Sequence, residues 1–406
     1  TCPICDDTLA RNIVKIPLSV IEKTFNEVIK KLAKGGIFPK RIRVILDPTD
    51  IQTTNKWEGC GSVTRKKRVV DKRGEIKEIE ITVFGWKLIA IFYAGLKIPV
   101  AAKVVKIEEH GSKYTRELIE IAKNNLCGAS EIEEVVTDRE QLDGEDLWWL
   151  EENKIKFIVP AKSNMDVTED AKSLAEVAIA EKGKNVFSRV EKIRHGNGKN
   201  SWIEEQRTTV VGIEGLTTYD QYGPKGWSAN KNKKEFEGKK INAVVIIEWN
   251  GRKIPKRKQV VYLTNKSVVD PFEIFDGYDE RSIIENCLFK EAKQGWHIKN
   301  APQKTEEALT IHIFFTLVIF ALTNAYREFK REQEEKSKEE DVLGIQRWRD
   351  KIRKEGKDKA IIFIGENYGI FWIAEIMVLT GIRIKDLPKG INNREEIFKK
   401  YELNPK

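Results

Sequence analysis

The spacing of hydrophobic and polar positions changes several times along the chain, and each change predicts a different element. Within residues 7–40, SVIEKTFNEVIKKLAKG carries apolar side chains at helical intervals and stops at Gly35-Gly36, so a helical N-terminal segment is expected. IRVILD (42–47) is a short apolar run ending on an acid, which predicts a strand. ITVFGWKLIAIFYAG (81–95) and KIPVAAKVVKI (97–107) follow as β-rich segments and suggest consecutive antiparallel strands. YTRELIEIAKNN (114–125) is amphipathic at helical period. IEEVVTD (132–138) is a second strand ending on an acid, DGEDLWWLEEN (143–153) is helical, and IKFIVPA (155–161) is an apolar strand of the parallel kind.

Three strands, helix, strand, helix, strand is the element order of an RNase H-like core. Ligands of such sheets gather at the carboxyl ends of parallel strands, where Asp47 and Asp138 are expected. Residues 165–265 break the pattern with four β-like runs, VFSRVEKIR, SWIEEQRTTVVGI, KINAVVIIEW and KQVVYLTN, and predict a β insertion returning to the core near Asn265. A helical pattern resumes at about Pro271. The apolar run IHIFFTLVIFAL (311–322) predicts a helix at 308–325; the run is short for a membrane span and carries His312 and Thr316, so it reads as a buried core helix. Residues 327–358 are highly charged and predict exposed helix, and 360–390 suggest a small C-terminal helical element. The expected organisation is therefore a helical segment (1–40), a core in two parts (41–164 and 266–326) split by the insertion (165–265), and a charged helical C-terminal region (327–406).

Three acids stand out against this frame. Asp47 and Asp138 end strands, and Glu285 lies in YDERSIIENCLFKEAK, where Tyr278, Arg281 and Glu285 fall on one helix face at spacings of three and four. A stripe of Tyr, Arg and Glu is unsuited to a core, and Arg forks readily onto phosphate oxygens. Carboxylates from separate elements suit hard divalent cations, Mg²⁺ or Mn²⁺, of the kind used in two-metal phosphoryl transfer. Asp50 competes with Asp47, and Glu291 with Glu285. The four histidines show no metal-ligand spacing, and no P-loop or Ser-His-Asp arrangement is present.

With these residues in place, the chain resembles DDE transposases of prokaryotic insertion sequences, in the group with a β insertion between the second Asp and the Glu and a Tyr-Arg-Glu-Lys signature. Tyr278, Arg281 and Glu285 match the signature, and DREQLDGEDLWWLEENKIKFIVPAKSNM is similar to the second-Asp region; the resemblance covers roughly residues 40–325. It implies an RNase H-like α/β fold with a mixed five-stranded sheet and helices on both faces. The activity implied is strand cleavage and transfer at the ends of a mobile element. Asp47, Asp138 and Glu285 would hold two Mg²⁺ or Mn²⁺ ions, and a homodimer would form on paired DNA ends. One departure is plain: the signature's Lys slot, seven residues after Glu285, is Ala292, leaving Lys293 and Lys290 as candidates. Other outcomes in view are a domesticated transposase that only binds DNA and a different RNase H-like nuclease.

Charge adds to this picture. The chain has 72 Lys+Arg against 63 Asp+Glu, a net +9. Residues 225–266 alone hold twelve basic residues, among them Lys256, Arg257 and Lys258, against three Glu, which concentrates the excess where phosphate contact would need it. Trp202, Trp227 and Trp249 interleave with these and are candidates for stacking on an unpaired base. RKKRVVDKRG (65–74) is a second basic stretch, expected in a loop, and Arg139 and Lys162 flank the second acid and its following strand. Five cysteines at irregular spacing form no disulfide framework, and Cys2/Cys5 make half a zinc site at most. A cytoplasmic, nucleoid-associated protein of a prokaryotic cell, with DNA and not a membrane as partner, is the expectation.

Overall fold

The computed structural model describes residues 11–12, 15–70, 76–195, 201–230, 238–250, 256–336, 359–364 and 367–372. Cys2 and Cys5, residues 337–358 and the tail beyond 372 lie outside them. The chain falls into two units, Thr1–Leu322 and Thr323–Lys406.

The first unit opens with α1 (Leu18–Lys34), whose Ile21, Phe25, Ile29 and Ala33 are buried along one face. Then come β1 (Arg41–Thr53), β2 (Gly61–Val70), β3 (Ile76–Tyr93), β4 (Ile98–Lys106), α2 (Thr115–Leu126), β5 (Glu131–Thr137), α3 (Gly144–Glu152) and β6 (Lys156–Pro160). The order β4-β3-β1-β5-β6 is the expected five-stranded core, with β1, β5 and β6 parallel and the others antiparallel. Two elements differ from expectation. β1 does not stop at Asp47 but runs on to Thr53 along β3; its pairing with β5 stops at Leu46–Thr137, and Pro48 is tolerated where that side has no ladder partner. The basic stretch at 65–70 is not a loop but the second half of β2, antiparallel to the first half of β3.

The insertion is also more than a set of strands. It begins with α4 (Asp166–Ala180), which the β-like runs concealed, and continues as β7 (Val186–His195), β8 (Trp202–Leu216), β9 (Ile241–Asn250) and β10 (Lys256–Thr264). β10 pairs with β6, so insertion and core share one sheet of ten strands, ordered β2-β3-β1-β5-β6-β10-β9-β8-β7 with β4 beside β3. The cause is apolar content on both faces. Val210 and Val211, and Val244 and Val245, are neighbours that point to opposite sides, and all four are fully buried. One side packs with Val136 and Ile158 of the parallel strands in a common core; α4 lies against β8, β9 and β10.

After β10 the chain enters α5 (Pro271–Asp279), capped by Asp270, which accepts from the Phe272 amide, with Pro271 at the first turn. The next helix, α6, is composite: Arg281–Ile283, a π-helical turn Ile284–Phe289, then Lys290–Gln294. α7 (Glu306–Lys336) is long and apolar enough to cross a membrane by length and composition, yet most of that stretch is buried in the fold, with Ile311, Ile313, Phe314, Leu317 and Phe320 enclosed. Phe314 meets Phe25 of α1 edge-on at 5.7 Å. In the second unit, residues expected to be helical form a hairpin instead, β11 (Lys359–Ile364) with β12 (Asn367–Trp372).

Candidate active site

The parallel ladder of β1 and β5 ends at Leu46 and Thr137, and the Thr137 hydroxyl locks it by donating to the Leu46 carbonyl at 2.8 Å. Asp47 and Asp138 are the next residue on each strand. Asp47, still paired with Ala90 of β3, and Asp138, the first residue beyond β5, therefore sit side by side just past the last rung of that ladder. The Asp138 carboxylate accepts from the Arg139 amide at 2.7 Å, which orients it at the strand end. Asp47 is 4% exposed. Burial, with Asp138 and Glu285 adding like charge, raises its carboxyl to about 7 although Arg281 pulls the other way.

α6 supplies the third acid. Arg281 Nη1 lies 3.3 Å from each carboxylate oxygen of Asp47 and 3.2 Å from Glu285 Oε1, so one guanidinium nitrogen joins strand and helix. Burial opposes the Arg281 charge but is outweighed by Tyr278, Asp47, Asp138 and Glu285, and the guanidinium is held more basic than usual. Arg281 also sits over the Tyr278 ring at 5.6 Å, and Tyr278 packs on Tyr262 of β10 at 4.4 Å. Burial pushes the Tyr278 hydroxyl up to about 12, so it remains a proton donor at any ordinary pH. Among the described residues, no three acid, His or Cys side chains already converge as a metal cage; the Arg281 cation stands between Asp47 and Glu285. The donor chemistry nevertheless fits a hard divalent cation. All three groups are carboxylates, and the Asp47 carboxyl, raised first by burial and then by the like charges of Asp138 and Glu285, is one whose ionised form a dication would stabilise.

The π turn resolves the displaced lysine. A π turn bonds five residues back instead of four and so takes up one extra residue. Each residue of a regular helix turns about 100°. The extra residue therefore carries Lys293 to the angular place that seven α-helical steps from Glu285 would give. Ala292 accordingly faces inward and is buried, while Lys293 donates to Thr49 Oγ1 at 2.6 Å. Burial lowers the Lys293 ammonium from its ordinary value. Lys293 and Lys290 line one cleft of about 340 Å³ with Asp47, Thr49, Glu285 and Phe289. Thr49 was not singled out from sequence; its only signal was its place two residues after Asp47 on the same strand face.

The competing acids go elsewhere. Asp50 pairs with Arg65 at 2.5 Å, and Glu291 accepts from the Trp296 indole at 3.4 Å. The expected DNA-contact residues are scattered. Arg139 is exposed beside Asp138. Lys162 is exposed and lines a different cleft, near Tyr219. Trp227 is half-buried beneath Lys239, whose ammonium is 4.5 Å from the ring centre, so it is not the open platform expected of a base stacker. Trp249 is 39% exposed on β9, between Arg207 and Arg257 in the sheet register. Lys258 is exposed and pairs loosely with Glu248 at 3.8 Å. Lys256 and Arg257 open β10, but their side chains, like that of Trp202, lie outside the described residues. Lys266, counted in the basic patch, is taken up by Glu134 and Glu273.

Residues 39–322 match the family model for the transposase DDE domain, a span that covers both aspartates, the insertion and α6. No curated protein matches the chain. With most of its length inside that match, and with a mixed sheet and helices consistent with an RNase H-like fold, the chain belongs to the DDE transposase family.

Proposed function

We propose that this transposase cleaves DNA at the ends of a mobile element and transfers the freed strand, with Asp47, Asp138 and Glu285 as its metal-holding carboxylates. One observation carries the reading: Asp47 and Glu285, distant in sequence, share a single guanidinium beside the rung that sets Asp138 next to Asp47. The three carboxylates would hold Mg²⁺ or Mn²⁺. Bound there, such ions supply Lewis-acid activation of the attacking water or 3′-hydroxyl and stabilise the leaving oxygen.

The remaining roles belong to the chain's own groups. Arg281, whose guanidinium lies beside both Asp47 and Glu285, is the fork that grips the scissile phosphate. Tyr278 stays protonated and donates a hydrogen bond beside it. Lys293, on the Glu285 side of the cleft, holds a neighbouring phosphate as a point charge, and Lys290 is a secondary contact. Trp249, with the exposed Arg207 opposite it in the register, is the better surface for DNA in the insertion. Pairing two ends requires two copies of the chain, so a homodimer on DNA belongs to the same proposal.

The test uses purified protein, Mg²⁺ and a supercoiled plasmid carrying the genomic sequence that flanks the coding region. The wild-type chain should nick the plasmid at a defined position. Asp138→Asn should retain the gel shift and lose nicking. Undiminished nicking by that variant, or nicking in excess EDTA, would overturn the assignment. Binding without nicking by the wild-type chain would mark a DNA-holding protein that has lost its chemistry.

A further inference from the structure

Beneath the three acids lies a second set of charges, on the same three elements. Arg43 is four residues before Asp47 on β1, Glu134 four before Asp138 on β5, and Glu280 directly precedes Arg281 and stands five residues before Glu285. Strand period 2 puts Arg43 on the Asp47 side and Glu134 on the Asp138 side, roughly 13 Å further down the sheet. Arg43 and Glu134 are register partners in the parallel ladder. Arg43 Nε is 3.2 Å from Glu134 Oε2, an ion-pair contact without hydrogen-bond alignment, and Arg43 Nη1 is 3.2 Å from Glu280 Oε1. Lys266, just past the end of β10, adds a contact to Glu134 at 3.1 Å and one to Glu273 at 2.6 Å, tying the β10–α5 connection and α5 into the group.

The surroundings show that this contact is built in. Glu134 is buried, so its charge requires the cations beside it. Burial works against the Arg43 charge, yet Glu134 and Glu280 together keep the guanidinium above its ordinary basicity. Gly277 lets the helix approach: a Cβ there would come within 3.4 Å of Arg43 Nη1 and 3.2 Å of Ile158 Cδ1. A single guanidinium thus reaches both strands and the helix that carry the site.

We propose that Arg43, through Glu134 and Glu280, is a positioning group that sets the height of α6 against β1 and β5, and so the separation of Glu285 from the two aspartates. This rests on the metal-site reading above. Arg43 and Glu280 touch neither substrate nor metal; they act by placing Glu285. Glu280 is half-exposed at the α5–α6 corner, so Glu280→Gln removes its tie without burying an unpaired charge.

The experiment titrates the full-length chain, without DNA, with Mn²⁺ and follows the free-ion EPR signal, alongside Tm. The wild type should bind Mn²⁺, and Asp138→Asn should abolish that binding. Glu280→Gln should bind about tenfold more weakly with Tm near wild type, Glu280→Asp should recover part of the loss, and Arg43→Gln should match Glu280→Gln. If Glu280→Gln and Arg43→Gln both bind Mn²⁺ as tightly as wild type, the positioning role is wrong. If the wild type shows no Mn²⁺ binding that depends on Asp138, the metal-site reading fails instead.

Discussion

Two charged layers are stacked on the same three elements, and they are balanced in opposite ways. In the upper layer, Asp47 and Glu285 share the Arg281 cation with Asp138 close by, and the buried member, Asp47, is pushed up to about 7 by desolvation and like charge. In the lower layer, Glu134, Glu273 and Glu280 meet two cations, Arg43 and Lys266, at ion-pair distance. Every acid of the lower layer lies at ion-pair distance from a cation, and that layer holds the fold; in the upper one three acids face a single cation, a larger negative surplus that the fold sustains. Charge left unbalanced at a cost to stability is expected where a cation or an anionic substrate completes the site.

The largest effects should come from removing one acid from each layer. Asp47→Asn should reduce nicking to the assay background while raising the Tm of the metal-free chain, because a neutral amide replaces a crowded buried carboxylate. Glu134→Ala should do the reverse to stability. It leaves Arg43 and Lys266 without their shared buried partner, a loss of about 3–5 kcal/mol measured by denaturant unfolding. If both substitutions destabilise alike, the contrast between layers disappears.

A smaller effect separates the two lysines of the cleft. Lys293→Met should lower the cleavage rate by about tenfold to a hundredfold, as expected for one charge-assisted contact of roughly 1.5–3 kcal/mol. Lys290→Met should remain within a few-fold of wild type. Equal losses in single-turnover assays would mean that the π turn does not select Lys293.

How much of this was legible in the sequence follows from the range of the forces involved. Asp47 and Asp138 could be read because each follows an apolar run, and Tyr278, Arg281 and Glu285 because helical spacing is local. Strand β2 was hidden because RKKR has no apolar alternation; cross-strand pairing with β3, opposing Lys66 to Glu80 and Arg68 to Glu78, makes it a strand. α4 was hidden because its buried face is small, Val167, Ala171 and Ala175, although Asp166 and Glu169 mark its first turn. The π turn left one trace, a lysine one residue late, which spacing alone could not explain. The Arg43 layer left none: Arg43, Glu134 and Glu280 look like ordinary surface charges until sheet register brings them together.

The smallest predicted effect is a pH dependence, and it tests the upper layer without DNA. The ordinary Asp carboxyl, 3.8, describes the unfolded chain, and the folded value of Asp47 is about 7. Between these values the folded state binds the proton more tightly, so stability from this group is complete below 3.8 and is lost as pH rises through about 7. The metal-free chain should therefore lose a few degrees of Tm between pH 5 and 8 relative to Asp47→Asn, whose amide does not titrate. A divalent cation competes with the same proton, so Mn²⁺ affinity should climb over this interval and level off above it. The lower layer sharpens the comparison. Glu134→Ala should shift Tm downward at every pH and leave the slope between pH 5 and 8 unchanged, because the titrating group remains in place. A wild-type minus Asp47→Asn difference that does not vary with pH would mean that Asp47 is already ionised at pH 5 and that the surplus charge is carried elsewhere.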